Sequence, residues 1–363
     1  MFKIVEPIGK LFNVKHFTTS DTIFLLNTKF TTALLVLFSI LLTAMDLLRA
    51  SIDCYIDSES KRKPIMDNYC WSIGTYICKD HSKDNILSCF DHSEENKIHQ
   101  RYYQWVPLLL LVQAVISYVP AYVWKVAECG LLHKLCDNLD ASFGRTNWNE
   151  KKSDVINYFS GKFAGRAHML YTTQYIGCKI LSVILIALNI LVLNMVIPGF
   201  WLTYSSATAS LITGNVPEWI MYSDLVFPRT AKCEYKAYGP SGSPQIFDAL
   251  CLLPLNVLNQ KIFVIIWMWY ICQLIVSFGN LIYWAVVYYS RNIRIEILRR
   301  RSLMSVSRKQ IMQATDKGHL GNYFVLNQIA KNTNIVTFVE ILTELSMKNL
   351  CTGNLELNGE KSI

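Results

Sequence analysis

Four long apolar stretches, separated by polar and charged segments, dominate the pattern of this chain. They occupy residues 30–48, 102–124, 180–202 and 262–290. Each is long enough to cross a bilayer as a helix, because the apolar core is about 30 Å thick and a helix rises about 1.5 Å per residue. The alternative is a buried helix of a globular core, but such a helix is rarely apolar on every face over this length. The pattern therefore predicts an all-α membrane protein with four transmembrane helices.

Composition and motifs argue against an enzyme. Of the 363 residues, 52% are hydrophobic, 12% are aromatic and 17% are charged. Disordered chains and coiled coils need a charge-rich, aromatic-poor composition, so both classes are excluded. The sequence has no nucleotide-binding loop, zinc-protease helix or nucleophile elbow. The interiors of the four stretches also lack the ionisable residues that pumps and membrane enzymes place at bilayer depth. We therefore expect no catalytic activity, no cofactor and no metal.

The charges predict the orientation of the four spans. Segments 1–29, 125–179 and 291–363 together hold 23 Lys and Arg residues against 13 Asp and Glu residues. Segments 49–101 and 203–261 hold 12 against 14 once Asp46, near the end of the first span, is added. Cytoplasmic segments carry the excess of Lys and Arg. Both termini and the 125–179 loop are thus predicted to be cytoplasmic, and the other two loops extracellular. The net charge of +8 then reflects topology and requires no nucleic-acid partner.

Charged residues flank the first span. Asp46 is followed three residues later by Arg49, which suggests an ion pair at the membrane interface. The alternative is that the two residues place charge on the wall of an aqueous path, as rings of charged side chains do in channels. Before the span, Phe2, Val5 and Phe12 recur at helical spacing and predict a short amphipathic helix on the membrane surface.

Six of the eleven cysteines fall in the predicted extracellular loops, where oxidising conditions favour disulfides. Six cysteines allow 15 pairings, and spacing alone does not choose between them. Cys78 and Cys89 are each followed three residues later by a histidine, a local spacing also found in zinc sites. In an oxidising loop, a disulfide between these two cysteines is favoured over a zinc site. The six loop cysteines are Cys54, Cys70, Cys78, Cys89, Cys233 and Cys251. The five histidines outside this motif are expected to be solvated: His16, His99, His133, His168 and His319.

The start of the second span resembles a known family. Tyr102, Tyr103, Gln104, Trp105 and Val106 form the segment YYQWV, which is similar to the signature pentapeptide of innexins, the invertebrate gap-junction proteins. The resemblance extends from about residue 20 to about residue 345. Its other parts are FTTALL in the first span, FPRTAKC ending at residue 233, CLLPLNVLNQKIF from residue 251 and LGNYFVLNQIAKN in the tail.

The resemblance implies a function and its partners. Innexin subunits form a ring, of eight subunits, around a pore, and two rings on apposed cells dock through their outer loops. Ions and small metabolites would then pass between cells by passive diffusion. The implied partners are other innexins and membrane lipids, and the implied location is the plasma membrane at gap junctions. Two alternatives stay open: an undocked hemichannel that releases small molecules, and a four-span adhesion or scaffold protein without a conducting pore.

The resemblance also assigns roles to residues. It implies disulfides between Cys54 and Cys251 and between Cys70 and Cys233, which would join the two extracellular loops. It implies that the segment before the first span folds into the mouth of the pore. The pore-lining candidates are then Phe2, Val5, Phe12, Asp46 and Arg49.

The remaining cytoplasmic segments would form a mostly helical dome built from residues 125–179 and 291–363. Three features depart from the family pattern. Cys78 and Cys89 are additional to the cysteines usual in the first outer loop, so we expect a third, local disulfide there. Asn322 and Tyr323 stand where many members have Asp and Trp.

Overall fold

The computed structural model describes most of the chain and two compact units within it. The described residues are 17–48, 52–55, 63–78, 97–136, 148–161, 163–197, 199–238, 240–315 and 319–359, with the backbone alone at 78, 148, 149 and 351–359. The first unit comprises residues up to 26, 119–183 and 276 onwards, and the second comprises 27–118 and 184–275.

The elements follow in chain order. They are α1 (Thr22–Leu48), β1 (Asp53–Tyr55), α2 (Lys63–Ile73), β2 (Thr75–Cys78), β3 (Lys97–Gln100), α3 (Val106–Glu128), α4 (Leu131–Cys136), α5 (Trp148–Phe159), α6 (Ala164–Val196), α7 (Phe200–Ile212), α8 (Val216–Val226), β4 (Thr230–Tyr238), β5 (Pro244–Leu252), α9 (Pro254–Tyr289), α10 (Arg291–Arg301), α11 (Arg308–Ala314), α12 (Leu320–Asn332) and α13 (Ile335–Gly359). A single π-helical turn, Leu26–Phe30, lies inside α1.

Among the residues that the structure describes, four helices are long and apolar enough to cross a membrane, which agrees with the predicted number of spans. They are α1, α3, α6 and α9. The third differs most from the apolar stretch seen in the sequence, because α6 begins at Ala164 and not at residue 180, and ends at Val196. The chain continues with Pro198, which has no N–H to donate to a helix, and with Gly199, whose φ of 75° suits glycine.

Polar side chains inside the second unit pair with each other between helices. Gln113 of α3 donates to the main-chain oxygen of Asn189 in α6 at 3.0 Å, and Asn189 donates to the Ser117 hydroxyl at 3.0 Å. The hydroxyl of Tyr270 in α9 donates to the Gln113 side-chain oxygen at 3.3 Å. An amide without a partner is costly in an apolar medium. These bonds therefore fix the packing of three of the four spans at bilayer depth.

In the described parts of the two loops that join α1 to α3 and α6 to α9, five strands form one antiparallel sheet, in the order β1-β5-β4-β2-β3. We call these loops the first loop and the second loop. β4 and β5 form a long hairpin, and β1 pairs with β5 so that Cys54 lies opposite Cys251. The all-α prediction did not include this sheet. Polar and apolar residues do alternate in β4, where Ala231 and Cys233 are buried, but the prediction rested on the four long apolar stretches.

In the first unit, the described elements are helices, as predicted for the dome segments. α12 is the centre of their packing, because every residue from Leu320 to Ile329 is buried. Around it lie aromatic side chains, with the Phe324 ring 5.1 Å from the ring of Tyr175 and 5.7 Å from that of Trp284. Gly321 is required by close packing, since a Cβ there would lie 2.6 Å from the Met169 nitrogen.

Candidate functional site

Two disulfide bonds tie the first loop to the second loop. Cys54 is bonded to Cys251 and Cys70 to Cys233, and all four residues are buried. These are the two pairings that the resemblance implies. The bonded residues are 197 and 163 positions apart. In the chain-entropy view, each bond of this kind stabilises the fold by about 5 kcal/mol, because it removes many conformations of the unfolded chain.

The two disulfides lie side by side. The sulfur atoms of Cys54, Cys70 and Cys251 all lie within 4.8 Å of one another. Because each is bonded to another sulfur, none is a thiolate that could hold a metal ion. The Asp67 carboxylate of α2 accepts a hydrogen bond from the Cys54 main-chain N–H at 2.9 Å. The short helix of the first loop is thereby attached to the strand that carries the disulfide.

Two side chains of the YYQWV segment hold the end of α2. The Tyr103 hydroxyl donates to the main-chain oxygens of Cys70 at 3.4 Å and Trp71 at 3.3 Å. The Gln104 amide donates to the main-chain oxygens of Trp71 and Ser72. The carbonyl groups at the end of a helix lack partners inside it, and these side chains supply them.

Tyr102 connects the same segment to the second loop. Asn256 donates to the Tyr102 hydroxyl at 3.1 Å and to the main-chain oxygen of Pro228 at 2.7 Å. Asn256 and Pro228 belong to the segments CLLPLNVLNQKIF and FPRTAKC, respectively. The resemblance marked all three segments but assigned no role to Asn256. The structure shows that it joins them through one buried amide.

A second contact joins the two segments of the second loop. Gln260 of α9 donates to the Asp224 carboxylate at 2.6 Å and to the main-chain oxygen of Phe227 at 2.8 Å. Asp224 also forms an ion pair with Arg229 at 2.7 Å. Hydrogen bonding to Asp224 raises the pKa of Arg229. The start of α9 is therefore fixed to α8 and to the residues before β4.

One charged pair crosses the sheet between the loops. Lys97 of β3 lies 2.7 Å from the carboxylate of Glu234 in β4, and the Tyr76 hydroxyl donates to the same oxygen at 3.1 Å. The hydrogen bond from Lys97 lowers the pKa of Glu234. The Lys97 side chain is 6% exposed, so solvent screens this pair little.

Of the five pore-lining candidates, the structure describes Asp46 alone. Phe2, Val5, Phe12 and Arg49 lie outside the described residues, and so does any contact between Asp46 and Arg49. Asp46 is half-buried near the end of α1, beside a cavity of about 30 Å³. Other residues that line it are Trp71, Tyr103, Gln104 and Asn259. The carboxylate therefore adjoins the YYQWV segment and the end of α2.

The expected third disulfide also falls outside the described residues. Cys89 and the two histidines of the zinc-like motif, His81 and His92, are not described, and of Cys78 only the backbone is, in β2. Both the pairing of Cys78 with Cys89 and its zinc alternative stay predictions.

The expectation that His168 is solvated is wrong. His168 is fully buried in α6, and its Nδ1 lies 2.7 Å from the side-chain oxygen of Asn322. The rings of Tyr158 and Phe159 flank it at 5.1 and 4.8 Å. The polar residues near His168 in the sequence suggested that it is exposed. Its hydrogen-bond partner, Asn322, lies 154 residues away, so local sequence did not reveal the buried contact. Tyr323, the other departure from the family pattern, is buried as well.

A charged cluster surrounds the residue that precedes α1. The Asp21 carboxylate lies 2.5 Å from the Lys179 ammonium and 2.7 Å from that of Lys331. The Trp284 indole donates to the same carboxylate at 3.2 Å, and the Tyr175 hydroxyl accepts from the Asp21 main-chain N–H at 2.9 Å. Burial acts to raise the pKa of Asp21, but the two ammonium groups outweigh it and hold the pKa at about 2. No local pattern predicts this cluster, since its members come from four distant segments.

Comparisons with known proteins agree with the resemblance. The innexin family matches residues 20–349. The chain is 36% identical to "Innexin inx4" of Anopheles gambiae over 355 residues, and the matched region is 95% of this chain and 92% of that protein. It is 34% identical to "Innexin inx4" of Drosophila melanogaster over 95% of this chain and 96% of that protein. Identity to "Innexin inx2" of Drosophila melanogaster is 31%, over 95% of both chains.

Four apolar helices, two disulfide-linked loops and this match over nearly the whole length lead to one conclusion. The chain belongs to the innexin family, whose members are subunits of gap-junction channels.

Proposed function

We propose that this protein forms rings of eight subunits in the plasma membrane, and that two rings on apposed cells dock into a channel for ions and small metabolites. The carrying observation is the match to the innexin family over residues 20–349, which includes both loops. The loops are also built for a fixed shape, since two disulfides and one sheet link them. A rigid surface loses little conformational entropy when it docks.

The proposed topology has both termini and residues 125–179 in the cytoplasm. Two independent features support it. The segments assigned to the cytoplasm carry a net charge of +10, and the loops carry −2. The bonded cysteines all lie in the loops, and disulfides persist in the oxidising extracellular compartment. The predicted domain limits, with spans at 30–48, 102–124, 180–202 and 262–290, belong to the same proposal.

Selection in such a channel comes from the width and the wall charge of the pore, and diffusion through it needs no cofactor. The proposal places Phe2, Val5 and Phe12 at the pore mouth and Asp46 and Arg49 on the pore wall. Homomeric and heteromeric rings with other innexins both fit it.

Dual-cell voltage clamp tests the proposal directly. Two contacting cells that express this chain alone should show junctional conductance and transfer of a small dye. The matched control is a pair in which one cell lacks the protein, because docking needs a ring on each side. Absence of conductance and dye transfer, while surface labelling finds the protein on both cells, would contradict the proposal.

The two alternatives predict different results. A hemichannel admits dye into single cells without contact. An adhesion or scaffold protein holds cells together without a conducting pore, so a charge added in the segment before the first span does not change the conductance between the cells. Val5→Glu separates these cases, because the added carboxylate changes conductance if the segment lines a pore and changes nothing if it does not.

A further inference from the structure

Trp105 is the member of the YYQWV segment whose side chain the loop contacts do not explain. Tyr102, Tyr103 and Gln104 are engaged in hydrogen bonds to other elements, whereas Trp105 is 59% exposed. Its indole lines a cavity of about 720 Å³ in the second unit. Sites for small organic molecules have volumes of roughly 300–1,000 Å³. The cavity is therefore large enough for an organic ligand.

The lining of the cavity is polar in one part and apolar in the other. His99, Gln100 and Arg101, at the end of β3 and just after it, supply the polar part. Leu108 and Val112 of α3 supply much of the apolar part, which therefore extends to about 9 Å from the start of that helix. Val196 of α6 and Leu225 of α8 complete it. No acidic side chain is among the described residues that line it.

The position of Arg101 is set by a glycine. A Cβ at Gly74 would lie 2.7 Å from the Arg101 Cγ and 3.0 Å from the main-chain oxygen of Gln100. Gly74 also has a φ of 100°, which favours glycine. The Arg101 side chain thus packs against the Gly74 backbone, where any larger residue would displace it. The guanidinium is a planar group of fixed hydrogen-bond donors, and it suits phosphate oxygens in particular.

The cavity also lies where a membrane changes from polar to apolar. It adjoins the first turn of α3 and the last turn of α6. Because consecutive spans run in opposite directions, these two turns lie on the same side of the membrane. Tyr102 and Trp105 line it there, and aromatic side chains of this kind gather at the level of lipid headgroups. A cation at headgroup level above apolar side chains is complementary to a phosphate attached to an acyl chain.

We propose that this cavity binds one phospholipid, with its phosphate against Arg101 and part of an acyl chain against Leu108, Val112 and Val196. Trp105 covers the junction between the headgroup and the chain. The proposal rests on α3 and α6 crossing the membrane, and it does not depend on conduction or docking. A second copy of the chain is the competing occupant, and the experiment separates the two.

Native mass spectrometry of the full-length protein tests the proposal. The protein is purified in detergent, incubated with dioleoylphosphatidylcholine and passed through gel filtration before the lipids retained on each subunit are counted. We expect one retained phospholipid per subunit. Dioleoylglycerol has the same chains without phosphate, and glycerophosphocholine has the headgroup without chains. Neither should be retained, because each satisfies one part of the cavity alone.

Variants with matched controls locate the bound lipid. Arg101→Gln removes the cation and Val112→Trp fills the apolar part, and each should lower retention about tenfold. Arg101→Lys should retain most of the binding. Lys236→Gln removes an exposed cation elsewhere in the loops, and Val115→Trp adds the same bulk to an exposed position of α3 outside the cavity. Both controls should bind as the wild type does.

Several results would overturn the proposal. They are a wild-type protein that retains no phospholipid, equal retention of dioleoylglycerol, and equal retention by Arg101→Gln and the wild type. The first of these is expected if a neighbouring subunit covers the cavity. If Val112→Trp does not assemble, Leu108→Trp fills the same part of the cavity from one helical turn earlier.

Discussion

Asp21 and Lys331 are 310 residues apart in the sequence, yet the Lys331 ammonium donates to the Asp21 carboxylate at 2.7 Å. Asp21 is the residue immediately before α1, and Lys331 lies in the last turn of α12. The contact ties the beginning of the first span to the tail of the chain. With Lys179, it gives one carboxylate two cationic partners.

Replacement of this carboxylate should destabilise the first unit. Asp21→Asn leaves the ammonium group of Lys179, which is 3% exposed, without its counter-charge. Loss of one partner of a buried pair costs about 3 kcal/mol. We expect a clear fall in the temperature at which the detergent-solubilised protein loses its monodisperse peak. Asp53→Asn, which removes an exposed ion pair with Lys63, should leave that temperature unchanged.

The same carboxylate predicts an acid dependence. The pKa of Asp21 is about 2 in the folded protein and about 3.9 in an unfolded chain. Because the folded value is the lower one, the contribution to stability, about 3 kcal/mol, is complete above pH 4. It is lost as the pH falls from about 4 to about 2. Stability measured against pH for wild type and Asp21→Asn should therefore converge at low pH. A constant difference down to pH 2 would argue against this assignment.

Loss of either disulfide between the loops should abolish cell-to-cell coupling. Cys54→Ser and Cys70→Ser each remove a buried bond worth about 5 kcal/mol in the chain-entropy view. We expect no junctional conductance and reduced surface delivery for both variants. Cys129→Ser replaces a free, exposed cysteine of the first unit and serves as the control. Normal conductance in Cys54→Ser would show that the bond is dispensable for docking.

The hydrogen bonds of Tyr103 predict a smaller effect. Tyr103→Phe removes the donor to the Cys70 and Trp71 carbonyl groups and should destabilise the protein by about 1 kcal/mol. Tyr238→Phe makes the same chemical change at a side chain that is 78% exposed and should have no effect. Thermal unfolding of the two variants side by side measures the difference. Equal stability of both would mean that water replaces these bonds at no cost.

The first loop supplies one prediction about covalent structure. The two cysteines absent from the usual family pattern, Cys78 and Cys89, should be joined to each other. Proteolysis without reduction, followed by mass spectrometry, should yield one linked pair of peptides that separates on reduction. Free thiols at both positions in the native protein, together with bound zinc, would favour the zinc site instead.

The spans followed from the sequence because bilayer thickness imposes a length and an apolar composition that can be read directly. The ends of the helices that contain them did not. The charged residues before residue 180 placed the start of the third span there, but α6 begins at Ala164. Lys179 is paired with Asp21, and His168 with Asn322, so neither needs to face water. Local patterns do not reveal partners that lie more than 150 residues away.

In the loops, too, contacts between distant residues were not predictable from local sequence. Which cysteines pair was known only through the family resemblance, and the sheet was not expected at all. β4 does alternate polar and apolar residues, but one such strand does not reveal the strands with which it pairs. The role of Asn256 was hidden for a related reason. The Asn256 amide donates to the Tyr102 hydroxyl and to the main-chain oxygen of Pro228, and only the folded chain brings these two groups within reach.

The bond between Cys54 and Cys251 also has a topological consequence. It closes a covalent ring that contains every residue from 54 to 251, and α3 and α6 are part of that ring. A single cut by a protease anywhere within it, for example in the stretch 137–147, opens the ring but leaves the two resulting fragments joined by the disulfide. Two fragments would separate on a denaturing gel only after reduction.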